Sequence, residues 1–155
     1  MANDASLLTD VALELRHAQL RPVYGVQSER RTVAVAQGPR SVVDLATTSG
    51  RDNLGQAITA RLLTPRGELA ELGHPEYCSR LHELIGSPNS ETRRSLTKLF
   101  VLESLAQEPR IEKIVRSDVA PAPGSRDRVD VVLEVRPVAS AETVAIGPFT
   151  LSFTQ

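Results

Sequence analysis

At 155 residues the chain is the size of one domain, and 41% hydrophobic with 24% charged residues are ordinary values for a folded globular protein. A formal net charge of −1 gives no electrostatic reason to expect nucleic acid or an anionic membrane as partner, and a single Cys excludes an internal disulfide. Aromatic residues are only 3%, with no Trp, so the core must be built from Leu, Val, Ile and Ala.

The start, Met1-Ala2-Asn3-Asp4-Ala5, lacks the basic stretch and apolar run of a secretory signal. No apolar run approaches the roughly 20 residues needed to span a bilayer. Both point to assembly in the cytoplasm.

In chain order, Leu7, Leu8, Val11, Leu15 and Ala18 recur at helical spacing and predict an amphipathic first helix. Pro22 and Gly25 interrupt it, Arg31 to Ala36 alternates weakly as a short strand, and Gly38-Pro39 signals a turn. Residues 1–40 therefore read as an arm on a body spanning 41–155.

The body opens with three helical patterns. Asp52 can cap a helix with Leu54, Ile58 and Leu62 on one stripe, stopped by Pro65 and Gly67. Pro75 suits the first turn of a second helix, with Tyr77, Leu81, Leu84 and Ile85 on one face and Gly86 at its end. Asn89 or Ser90 starts a longer third helix carrying Leu96, Leu99, Phe100, Glu103 and Ala106, which ends where Pro109 disfavours helical geometry at Glu108.

After Arg110 the period changes. Ile111 to Val119 reads as a strand, and 120–125 as a loop. Val129, Val131, Leu133 and Val135 alternate with Asp130, Glu134 and Arg136 as a half-buried strand, Val132 excepted. Ile146, Phe149, Leu151 and Phe153 form a last strand, with Thr150, Ser152 and Thr154 on its other face. Helices followed by strands predict an α+β fold: a three-helix body with a C-terminal antiparallel sheet of about three strands, and an N-terminal helical arm.

Several stretches together resemble the baseplate wedge family of contractile phage tails, type VI secretion and extracellular contractile injection systems. They are Asp44-Leu45-Ala46, Ser49-Gly50-Arg51-Asp52-Asn53-Leu54 leading into Gln56-Ala57-Ile58, Arg61-Leu62-Leu63-Thr64-Pro65-Arg66-Gly67-Glu68-Leu69, Leu72-Gly73-His74-Pro75, and Glu108-Pro109-Arg110. The resemblance runs from about residue 41 to 153. The chain departs from it at Cys78, after Tyr77, where the family usually has Gly.

The resemblance implies a structural subunit present in six copies around the tail hub, joining the core bundle of the wedge to the first sheath ring and seeding sheath assembly. Its partners would be sheath protein, other wedge proteins and spike or hub proteins, with no cofactor, nucleic acid or membrane. It would end up in a phage tail or a released particle. The wedge contact maps to Glu108, Pro109 and Arg110. Pro109 fixes the chain direction there, so two charged side chains can be aimed at a partner helix or can pair with each other. The last two strands supply the sheath-facing edge, by β-augmentation at Val129, Val131, Leu133, Val135, Thr150, Leu151, Ser152 and Phe153.

Other chemistries were weighed. Members of the resembled family were once labelled tail lysozymes, so a tail-associated peptidoglycan hydrolase is the alternative. It requires two carboxylates about 5–9 Å apart. Asp52, Glu68, Glu71, Glu76 and Glu83 are candidates, but a glycan cleft usually offers aromatic platforms that this chain lacks. His74, Cys78 and His82, four apart, would align as zinc ligands on a helix, though without an evident fourth. Gly50 to Ala57 has the glycine spacing of a phosphate loop but not its Lys or Ser/Thr. Cys78 with either His lacks an oxyanion motif.

Overall fold

The computed structural model describes residues 7–18, 21–138 and 140–153, the side chains of 16–24 excepted. Two α-helices form among them, α1 (Gly50–Leu63) and α2 (Glu91–Leu105), with nine strands in four small antiparallel sheets. The expected three-helix body with a helical arm is corrected on both counts.

The first correction is the arm. Where a helix was expected, the chain forms β1 (Thr9–Val11) and β2 (Leu13–Ala18), followed by β3 (Arg21–Val26), β4 (Ser28–Val35), β5 (Gly38–Leu45) and β6 (Thr47–Ser49). β1 pairs with β6, β2 with β3 and β4 with β5. The three ladders meet at one residue each: Ala12 N–H donates to Ala46 O at 2.8 Å, Ala46 N–H to Gln27 O at 2.9 Å, and Gln27 N–H to Ala12 O at 2.9 Å. This closed ring of hydrogen bonds satisfies the backbone at a three-way branch that a helix could not make. Pro22, read as a helix breaker, lies in β3 opposite His17, and a two-stranded ladder tolerates it on an edge. The arm's strands run on to Ser49, so β5 crosses the boundary drawn at residue 40.

The second correction is the segment 75–85. It forms no α-helix, only a 3-10 turn at Leu81–Leu84. Cys78 has φ +94°, a backbone region that an L-residue enters at a cost and that no helix contains. Ser79 instead pairs with the end of α1, through Arg66 N–H to Ser79 O (2.8 Å) and Ser79 N–H to Thr64 O (3.0 Å). Leu81 and Leu84 still reach the core.

The other elements follow the pattern. On α1, Leu54, Ile58 and Leu62 are buried as the stripe predicts. α2 is capped by Ser90, whose hydroxyl accepts from Arg93 N–H at 3.3 Å, but its buried face is Thr97, Phe100, Val101, Ser104 and Leu105, leaving Leu99 exposed. β7 (Ile111–Pro121), β8 (Arg128–Pro137) and β9 (Val144–Ser152) form one sheet with β8 in the centre. Val129, Val131, Leu133 and Val135 point inward onto the cluster formed with both helices.

The arm is pinned to the body by two amides one helical turn apart on α1. Asn53 Nδ2 donates to Leu7 O at 3.0 Å. Gln56 accepts from Leu13 N–H at 2.8 Å and donates to Val11 O at 2.9 Å. Replacing Gln56 with Leu strands both backbone groups, and each unmet group costs about 1–3 kcal/mol. The expected outcome is faster amide exchange in Thr9–Leu13 and Thr47–Ser49, with exchange in β8 unchanged. Equal protection in the variant would show that the ladders alone hold the arm.

Candidate functional site

Glu108, Pro109 and Arg110 turn the chain from α2 into β7. Pro109 is exposed at the apex, Arg110 is half-buried, and Glu108 faces inward with only 5% of its surface accessible. Its Oε1 accepts from Arg110 Nε at 2.6 Å and its Oε2 from Arg61 Nη2, in the last turn of α1, at 3.1 Å. Arg110 Nη1 also reaches Leu7 O at 3.5 Å, the carbonyl held by Asn53. The Arg61 guanidinium stacks over Tyr77, 4.0 Å from the ring centre. One carboxylate therefore faces two guanidiniums, and the buried Arg61 Nε has no hydrogen-bond partner among the described residues.

The sequence left Glu108 and Arg110 either aimed at a partner helix or paired with each other; they pair, and Glu108 faces inward. Its two oxygens are occupied inside the chain, and Pro109 and Arg110 alone reach the surface. Burial pushes the Glu108 carboxyl up. The hydrogen bond and charge of Arg110, its backbone N–H and the charge of Arg61 outweigh that and hold the carboxyl below its usual range. Burial, partly offset by Arg61, raises Tyr77.

The two edges of the C-terminal sheet differ. β8 is paired on both sides, so Val129, Val131, Leu133 and Val135 are core residues and offer no edge. Placing them on a partner-facing edge is corrected: a half-buried alternation marks a strand but does not say which strands flank it. The edges are β7 and β9. β7 carries Glu112, Lys113, Arg116 and Asp118 and two register shifts against β8, features that discourage further pairing. β9 carries no charge, and no strand lies beyond it among the described residues. Leu151 and Phe153 point into the core, Ser152 is half-buried, and exposed Thr150 donates to Asp130 at 2.7 Å.

His74, Cys78 and His82 are not brought together as ligands. The helix that would have aligned them is absent, and His82 Nδ1 lies 3.2 Å from Ser79 O. No cluster of three or more His, Cys, Asp or Glu able to hold a metal occurs among the described residues. Burial raises the Cys78 thiol, despite Arg61. Of the carboxylates weighed for hydrolysis, Glu76 pairs with Arg66 and Glu83 with Arg80. Sequence reasoning did not single out Arg61. The signal available was its position at the end of a stripe otherwise Leu54, Ile58 and Leu62.

No family model and no curated protein matches the sequence. Among solved structures, the chain is similar to a "putative tail lysozyme" from Geobacter sulfurreducens, with 23% identity over 65% of this chain and 90% of that one, at a TM-score of 0.51. At that identity the likeness is one of fold.

Three outcomes test the site. Glu108→Ala leaves buried Arg61 and half-buried Arg110 without their shared counter-charge and should cost about 3–5 kcal/mol, a melting-temperature drop of roughly 10 °C or more at this size. Because the folded pKa of Glu108 is depressed, its contribution is complete above the unfolded value, about 4.3, and is lost as pH falls through the lower folded value. Unfolding free energy should thus fall less between pH 6 and pH 3 in Glu108→Gln than in the parent; parallel profiles would refute this. At Cys78, Gly relieves the positive φ while Val worsens it, so Cys78→Gly should stay within about 1 kcal/mol of the parent and Cys78→Val should lose more than about 2 kcal/mol in denaturant titrations.

Proposed function

We propose that this chain is a structural subunit of a contractile tail or tail-like injection machine, with no catalytic site of its own. It would join the wedge core bundle to the first sheath ring. The observation that carries the reading is the contrast between the edges of the C-terminal sheet. A soluble protein guards a sheet edge with charge, bulges or cover. This chain puts charge on β7 and none on β9. β9 has its own register shift at Gly147-Pro148, and the stretch beyond it, Phe149 to Ser152, is left uncharged, as an edge meant to receive a strand from a sheath subunit would be. The corner at Pro109 supplies the second contact. With Glu108 turned inward, Arg110 becomes the charged side chain available to a wedge partner, held in place by the Glu108 carboxylate. The likeness of fold to a protein named for a tail supports the same setting.

That protein's name also supports a second reading, a peptidoglycan hydrolase carried on the tail. Of its candidate carboxylates, Glu76 pairs with Arg66, and the hydrogen bond from Arg80 lowers Glu83, whereas a general acid needs a raised pKa.

The test of the first reading is assembly. Deleting Thr150 to Gln155 would remove Leu151 and Phe153 from the core, so substitutions that add charge to β9 are the cleaner probe. Ala145→Lys with Thr150→Lys should leave melting unchanged within about 0.5 kcal/mol, yet prevent sheath from polymerising on reconstituted baseplates. Arg110→Ala should reduce incorporation of the chain into the wedge. Normal sheath on baseplates carrying the double variant would defeat the structural reading. Clearing of a peptidoglycan suspension by the purified chain, abolished by replacing one acidic residue, would establish the hydrolase.

A further inference from the structure

The β4–β5 hairpin carries apolar side chains on exposed strands. Both strands are exposed over nearly their whole length, and a two-stranded ribbon with neither face covered is marginal in water. It nevertheless carries Val33, Val35, Val43 and Leu45, each at least 41% exposed. Residues 30–42 hold Arg30, Arg31 and Arg40 and no acid. With Glu29 and Asp44 the hairpin as a whole is +1, and residues 50–155 are −1, so a match must come from the local pattern of charges and not from net charge.

The register identifies a matching patch. On one face of the hairpin Arg31 stands opposite Val42, and Val33 opposite Arg40, so two guanidiniums occupy one diagonal and two valines the other. On the outer face of the C-terminal sheet Asp130 stands opposite Ala120, and Val132 opposite Asp118, with two carboxylates on one diagonal and two apolar side chains on the other. Both patches are adjacent antiparallel pairs, so both repeat at about 5 Å across and about 7 Å along the strands. Arg40 makes no ion pair among the described residues, whereas Arg31 is 3.5 Å from Asp44. On the sheet, Asp118 accepts from Arg116 at 2.6 Å and Asp130 accepts from the Thr150 hydroxyl. That leaves Asp130 without a cation among the described residues and makes Arg40 with Asp130 the central pair.

We propose that the chain self-associates head to tail, the hairpin of one copy lying on the outer face of the C-terminal sheet of the next. The contact uses side chains of β7 and β8 and leaves the backbone edge of β9 free, so it does not depend on the proposed sheath contact. Because the two surfaces differ, the association closes into a ring or continues as a chain, according to the rotation between copies. A hairpin face about 27 Å long is small for a protein interface, so the contact is weak in solution.

Sedimentation equilibrium of the full chain at low salt, up to about 1 mM, tests the idea at concentrations suited to a weak contact. The average mass should rise above 16.8 kDa with concentration and fall back with added salt. Arg40→Glu should weaken association at least tenfold, as should Asp130→Lys, while Val43→Asp, on the opposite face of the hairpin, should not. Mixing Arg40→Glu, whose sheet face is intact, with Asp130→Lys, whose hairpin is intact, should restore association between the two variants. Circular dichroism and melting check that each variant remains folded. A monomer at every concentration overturns the proposal. So does an association insensitive to Arg40→Glu, one lost equally in Val43→Asp, or a mixture that stays monomeric.

Discussion

One carboxylate ties together the parts of the body that sequence leaves far apart. Glu108 stands at the end of α2, its partners Arg61 and Arg110 belong to the end of α1 and the start of β7, and Arg110 continues to the Leu7 carbonyl. Two guanidiniums brought this close repel in a medium of low dielectric unless a charge stands between them. Glu108 is that charge. The packing of the two helices and the direction in which β7 leaves meet at its oxygens, and Arg110 carries the link on to Leu7 in the arm. Pro109 completes the arrangement by ending the helix where the carboxylate must turn inward.

From this brace outward the chain grows steadily less covered. The body buries a continuous cluster of Leu, Val, Ile and Phe between two helices and one face of a three-stranded sheet. The arm begins under the control of Asn53 and Gln56, whose amides fix it to α1, and passes through the ring of Ala12, Gln27 and Ala46 into two ribbons. Among the described residues, β4 and β5 are exposed along nearly their whole length. Stability is therefore concentrated at the helix–sheet core, and the surfaces proposed as contacts lie at its periphery: the β9 edge, the Pro109 corner and the hairpin.

Cys78 illustrates how a local conflict is tolerated. Its φ of +94° belongs to glycine by steric preference, yet the residue is buried and its neighbours are committed. Tyr77 lies under the Arg61 guanidinium, Ser79 bridges to the end of α1, and Ser104 donates to Cys78 O at 3.1 Å. These contacts hold the backbone in a conformation that the side chain opposes. The resemblance read from the sequence pointed to glycine at this position, and the backbone supplies the reason.

What the sequence determined by itself was every element whose signal is local. The Leu54, Ile58 and Leu62 stripe marked α1, Ser90 and Pro109 bounded α2, and the alternation from Val129 to Val135 marked β8, because a period and a cap are written in adjacent residues. The outcome elsewhere depended on partners distant in sequence. Leu7, Val11 and Leu15 satisfy a helical period as well as strands do, and only pairing with β3 and β6 and the amides of α1 selected the strand. The 75–85 segment has a helical pattern that the tie between Ser79 and Thr64 overrides. Glu108 and Arg110 were legible as a charged corner, but which way Glu108 faces was decided by Arg61, 47 residues away. A side chain's direction, like a strand's place in its sheet, is fixed by what the rest of the fold brings against it, and tertiary structure alone supplies that neighbour.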